Sequence, residues 1–167
     1  MSHPGTPAEQ VAEWVANHVV ARLTAAGQTV ATAESLTGGL LCAALVSVPG
    51  ASVVVRGGVV AYAADVKTGV LGVPAGVLDQ HGTVAAESAA AMAVAARALF
   101  GTDWAVATTG VAGPDPIEDK PVGTVHVAVA GSDGTSTVDL VSPGEREQVR
   151  AAAVGAALRL LRDALEG

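Results

Sequence analysis

The sequence predicts an α/β fold: a three-layer α/β/α sandwich with a mixed, mostly parallel five-stranded sheet between its helices. Three observations lead there. Short β-rich runs alternate with segments of helical period along one chain of 167 residues, which is one domain's length. Trp14, Tyr62, Phe100 and Trp104 are the only aromatic residues while Ala, Val and Gly dominate, so the core must be built from small side chains in close layers. Gly131-Ser132-Asp133-Gly134 joins two β-rich runs and predicts a hairpin, which makes the last two strands antiparallel.

The elements follow in order. Thr6-Pro7-Ala8-Glu9 is a capping box with Pro at the first helical position, and Val11, Val15, Val19 and Leu23 continue a helix until Gly27. Gln28 to Ala33 is β-rich and runs through Glu34-Ser35-Leu36-Thr37-Gly38-Gly39 into a helix over Leu40 to Val48, a strand, tight turn and helix. Val53 to Tyr62 is a second strand, in which Gly57-Gly58 marks a bulge or a close backbone approach. Short helices follow over Asp65 to Leu71 and Pro74 to Gln80, then an Ala-rich helix over Val84 to Phe100 closed by Gly101. Trp104 to Thr108 is a buried strand, and the glycines and prolines of Gly110 to Pro116 force a loop. Thr124 to Ala130 and Thr135 to Val141 form the hairpin, and Glu145 to Leu165 the last helix.

Charge and composition exclude several functions. Nine Lys plus Arg against sixteen Asp plus Glu leave a net charge of −7, so no basic field attracts nucleic acid or anionic lipid. The longest strictly apolar stretch, Ala89 to Ala96, is far short of the ~18 to 20 residues of a membrane span. The lone Cys42, and a start without a basic region followed by an apolar one, lead us to expect a cytoplasmic protein. His3, His18, His81 and His126 are scattered and no CxxC occurs, so no metal site is expected.

The chemistry must then come from hydroxyls, amines and backbone amides. Ser35 lies where a strand gives way to a helix, a position that suits a nucleophile or an anion, or an ordinary helix cap. Lys67 is one of only two lysines, the other being Lys120. A lysine can lose its proton where a guanidinium cannot, so Lys67 is either a candidate base or a solvated surface residue. Thr108-Thr109-Gly110-Val111-Ala112-Gly113-Pro114 is a second Gly-rich loop after a central strand, either a tight turn or the other wall of a crevice. Arg146 and Arg150 stand one turn apart at a helix start, where cations oppose the dipole, so each is either an anion contact or simply solvated. Neither His81 nor His126 is assigned a role, and Tyr62, the one tyrosine, needs a hydroxyl partner if buried.

Taken together, Thr32-Ala33-Glu34-Ser35-Leu36-Thr37-Gly38-Gly39, Tyr62 through Lys67 with Leu71-Gly72-Val73, Gln80-His81-Gly82, Thr109 through Pro114, and Lys120-Pro121-Val122-Gly123-Thr124-Val125 closely resemble the CinA C-terminal domain family. The resemblance covers nearly the whole chain, with five motifs in the same order. It implies a nicotinamide-nucleotide amidase, which hydrolyses the carboxamide of nicotinamide mononucleotide to nicotinate mononucleotide and ammonia without a cofactor. The chain is too short to hold the N-terminal domain of full-length CinA proteins, and a homodimer is expected from the family.

The resemblance further implies that Ser35 is the nucleophile, Lys67 the base of a Ser/Lys hydrolase and Tyr62 its support. Such a lysine must be neutral near pH 7, which burial among Val and Ala, with Arg56 nearby, would favour. The substrate contacts expected are Thr37, Gly38 and Gly39, then Thr109, Gly110 and Gly113, with Arg146 for the phosphate. Three departures stand out. The family's Tyr-Ser-Asn is Tyr62-Ala63-Ala64 here, its Cys is Leu36, and its Ser-Glu after the His-Gly segment is replaced by Ala85-Ala86 before Glu87. The lost amide at Ala64 predicts a slow amidase. The alternatives are amidase action on another substrate and a non-catalytic nucleotide-binding or interaction module.

Overall fold

The computed structural model describes the backbone of residues 7–167 and side chains from residue 10 onward. Thr6, the first residue of the expected capping box, lies outside the described residues. The elements are α1 (Pro7–Ala26), β1 (Val30–Glu34), α2 (Leu40–Val46), β2 (Val55–Val60), α3 (Ala64–Gly69), α4 (Ala75–His81), α5 (Ala86–Phe100), β3 (Trp104–Gly110), β4 (Thr124–Gly131), β5 (Gly134–Val141) and α6 (Arg146–Glu166). The five strands form one sheet in the order β2-β1-β3-β4-β5. β1 pairs in parallel with β2 and β3, while β4 is antiparallel to β3 and to β5. Four of the five strands therefore point one way, in the mixed, mostly parallel sheet expected.

The small side chains sort by sheet face, because alternate residues of a strand point to opposite sides. Val30, Val106, Val125, Val127 and Val129 face the layer of α1, α2 and α6, against Val19, Leu23, Leu41, Leu45, Ala153 and Leu161. Ala33, Ala105, Ala107, Ala128 and Ala130 face α5, against Ala89, Met92, Ala93 and Ala96. Alanine on alanine lets α5 lie close to the sheet, which is what so few aromatics required.

Several element ends shift by one or two residues from expectation, and two of the shifts have a clear cause or place in the sheet. Ala51–Val53 is a short 3-10 turn after Gly50 (φ 85), so the second strand starts at Val55, and Val53 is exposed. Gly110, expected in the loop, is the last residue of β3, paired with Val125. The two-glycine signal in β2 has both of its expected meanings. The register skips Arg56 opposite Val30 and Ala31, a bulge, and a Cβ on Gly58 would collide with the Thr32 hydroxyl. The last helix begins with a capping box: the Glu145 carboxylate accepts the Gln148 N–H, and the Glu145 N–H donates to Gln148 Oε1 at 2.8 Å.

Candidate active site

The parallel strands β2, β1 and β3 all end at one edge of the sheet, where β4 begins, so the Ser35 turn, the start of α3 and the loop after β3 converge. Alternation along β1 separates two neighbours. Glu34 is sent to the α2 side and Ser35 to the opposite side, where α3 brings Lys67.

Glu34 is 1 % exposed, and its carboxylate accepts N–H bonds from Gly39 (3.0 Å), Leu41 (3.0 Å) and Cys42 (2.8 Å). It thus caps α2 in place of the missing side-chain cap at Gly39, and a negative charge at a helix N-terminus is favourable. Gly38 (φ 57) and Gly39 (φ 98) take the left-handed conformations this tight turn needs. Ser35 is therefore not the cap, which leaves its hydroxyl available. Glu34→Ala would strand three amides, and we expect a loss of roughly 2 to 4 kcal/mol, read as a melting temperature lowered by about 5 to 15 °C.

Lys67 is 1 % exposed, and its Nζ lies 3.2 Å from Ser35 Oγ, 2.7 Å from the Ala61 carbonyl oxygen and 3.1 Å from that of Tyr62. A neutral amine has two hydrogens and one lone pair. With the hydrogens donated to the two carbonyls, the lone pair is left for the Ser35 hydroxyl proton. Burial holds the Lys67 amine below the usual lysine range, and the charge of Glu118 opposes that shift. The expected help from Arg56 is absent: Arg56 is exposed on β2 and is not among the causes.

The other expected site residues fall into distinct positions. Tyr62 meets Lys67 through its backbone carbonyl, while its exposed phenol accepts a bond from Arg146 at 3.0 Å. Arg146 also donates to the Gly113 carbonyl at 2.6 Å, so its guanidinium is fixed at the rim with two of its five donors used. Thr109 Oγ donates to the Thr83 carbonyl at 2.7 Å, and the buried Thr37 hydroxyl pairs with that of Thr108 at 2.7 Å. Both hydroxyls hold walls together. The N–H of Gly38 goes to the Ser35 carbonyl and that of Gly39 to Glu34. Among the described residues, the N–H groups of Leu36 and Thr37 have no such acceptor, which makes the two residues directly after Ser35 the candidate oxyanion donors.

Arg150, read as a possible anion contact, instead donates to the carbonyls of Leu36 (2.9 Å) and Thr37 (3.2 Å). It braces the Ser35 turn. Sequence reasoning missed Glu34 and Glu118 as site residues. A carboxylate five residues ahead of a glycine at a helix cap position was the available signal for Glu34; for Glu118 there was none, because its partners are about 35 residues away in sequence.

Ser35, Tyr62, Lys67, Thr109, Gly113 and Arg146 line one cavity of about 110 Å³. That is below the ~300 Å³ of a typical small-molecule pocket, so it suits the reacting end of a substrate, with the remainder lying over the rim. A larger cavity of about 500 Å³ between α1, α2 and α6 is lined by Ala12, Leu40, Ala44, Val48 and Val154 and holds no nucleophile–base pair. Among the described residues no group of three His, Cys, Asp or Glu could hold a metal, and no helix is long and apolar enough to cross a membrane.

The model of the CinA C-terminal domain family matches residues 12–165. The chain belongs to this family. A CinA-like protein of Frankia casuarinae is 50% identical over 149 residues, 89% of this chain and 34% of the relative. One of Anaeromyxobacter dehalogenans is 53% identical over 148 residues, 88% of this chain and 36% of the relative. This CinA domain thus spans about a third of the length of the curated relatives it matches (34% and 36%). Among solved structures, a CinA superfamily protein of Klebsiella pneumoniae superposes with a TM-score of 0.89 at 34% identity, covering 93% of this chain and 98% of that one. The competence/damage inducible protein CihA of Agrobacterium tumefaciens gives 0.87 at 37% identity, covering 100% of both chains.

The departures from the family pattern now have positions. Ala63 is the N-cap of α3 and Ala85 that of α5, and neither offers a side-chain cap, while Ala64 is exposed at the first residue of α3. A serine at position 63 would stand where α3 has no side-chain cap. Ala63→Ser should add about 1 kcal/mol of stability, read by thermal unfolding. For the amidase that the resemblance implies, Ala64→Asn should raise kcat/KM on nicotinamide mononucleotide by up to about tenfold. An unchanged rate would confine this departure to the start of the helix.

Proposed function

We propose that this CinA domain is an amidase that converts nicotinamide mononucleotide and water to nicotinate mononucleotide and ammonia by a Ser/Lys mechanism. The observation that carries the reading is the buried Lys67 amine, 3.2 Å from the Ser35 hydroxyl and anchored by two carbonyls. A binding module has no need of a desolvated amine beside a hydroxyl.

In the proposed reaction, neutral Lys67 takes the Ser35 proton as Oγ bonds to the carboxamide carbon. The negative charge that develops on the carboxamide oxygen is met by the Leu36 and Thr37 N–H groups. As the C–N bond breaks, the Lys67 ammonium gives its proton to the departing nitrogen, and ammonia leaves an ester on Ser35. Water then attacks the ester, Lys67 takes its proton and returns one to Ser35 Oγ, and nicotinate mononucleotide is released. Arg146, fixed at the rim by Tyr62 and Gly113, offers its unused donors to the phosphate.

The test is ammonia release from a panel of nicotinamide mononucleotide, nicotinamide riboside, nicotinamide and glutamine. The reading expects the mononucleotide to be preferred, with Arg146→Ala raising its KM and leaving the riboside unaffected. Equal rates on riboside and mononucleotide would refute the phosphate contact. Turnover of glutamine alone would move the enzyme to another substrate.

A further inference from the structure

The loop between β3 and β4 carries a tight turn at residues 117–120, in which Ile117 and Lys120 bond to one another through their backbones. Its two central residues, Glu118 (φ 51) and Asp119 (φ 59), are in the left-handed region, which is unfavourable for side chains other than glycine. Such a turn persists when other contacts hold it. Here the Glu118 carboxylate accepts the Thr83 N–H (2.8 Å), the Thr83 hydroxyl (2.7 Å) and the Val84 N–H (3.1 Å). Gly82 leaves room for it, since a Cβ there would collide with the carboxylate. The anchored segment leads into α5, whose cap position, Ala85, has no side-chain acceptor of its own. Thr83, Val84 and Ile117 line the same cavity as Ser35 and Lys67.

We propose that Glu118 is a positioning residue, a latch that ties the 117–120 turn to the start of α5 and so holds Ile117 in the wall of the Ser35–Lys67 pocket. Its effect on turnover rests on the amidase reading; the latch itself does not. Lys120, 3.6 Å away, acts on the Glu118 carboxylate, whose charge in turn favours the protonated form of Lys67. Burial works to raise the Glu118 carboxyl, but the bonds from Thr83 and Val84 hold it below the usual glutamate range, so it stays ionised at neutral pH.

Two variants test the latch in the intact chain. In Glu118→Ala, amide hydrogen exchange at residues 83–84 and 117–120 should speed up by tenfold or more, and KM for nicotinamide mononucleotide should rise at least fivefold while kcat changes less. Glu118→Gln keeps an acceptor for Thr83 but removes the charge, so the acid limb of kcat/KM should move to lower pH, which a purely structural role would not do. Unchanged exchange in Glu118→Ala overturns the latch. Faster exchange with unmoved KM and pH profile overturns its service to the site. A parent protein that releases no ammonia overturns the amidase reading instead, and the exchange result still decides the latch.

Discussion

Ser35→Ala is expected to lower turnover of nicotinamide mononucleotide by at least about 10⁴-fold, or ~5 kcal/mol, while nucleotide binding stays within about tenfold. In the proposed mechanism the hydroxyl acts in the transition state, whereas binding comes from the pocket walls and the rim. Fold stability should hardly change, because the turn is built by the Glu34 carboxylate, the Arg150 guanidinium and the two glycines rather than by the Ser35 side chain. Steady-state ammonia release and calorimetric titration with the nucleotide check the two halves separately. Undiminished release from the variant would remove Ser35 from the chemistry.

Lys67→Arg should be nearly as damaging as Lys67→Ala. A guanidinium keeps its charge but does not give up its proton at working pH, so it serves as an anchor and not as a base. The same logic fixes the sign of the pH dependence. Burial lowers the Lys67 pKa, so the amine is neutral over a wider range than an exposed lysine, and activity falls as the pH drops through that lowered value and the amine is protonated. The acid limb of kcat/KM should therefore lie below the ordinary lysine range. A Lys67→Arg variant as fast as the parent would make the residue a charge anchor.

The sheet and its hairpin were readable because each depends on local pattern, whereas the pairing of Ser35 with Lys67, distant in sequence, came only through the family resemblance. The scarcity of aromatics predicted close layers of small residues, which the valine and alanine faces of the sheet form, and the glycine pair in β2 pointed to a close approach that the fold places at Thr32. What stayed hidden depends on contacts between distant segments. Nothing in Tyr62-Ala63-Ala64 shows that the phenol turns to Arg146 while the carbonyl serves Lys67. Gly38 and Gly39 read as amide donors for a ligand, yet their N–H groups are taken by the Ser35 carbonyl and by Glu34. The early start expected for the second strand came from a β-branched run, which the Gly50 turn overrides.

In the proposed reaction Ser35, with Lys67 as its base, carries the acyl group. Turnover of nicotinamide mononucleotide in hydroxylamine tests it most directly, because an ester on Ser35 can be intercepted by a second nucleophile. An ester on Ser35 yields the hydroxamate of nicotinate mononucleotide alongside the acid, with ammonia released in an amount equal to their sum and both products lost in Ser35→Ala. Ammonia release with the acid as sole product, persisting in Ser35→Ala, would contradict it.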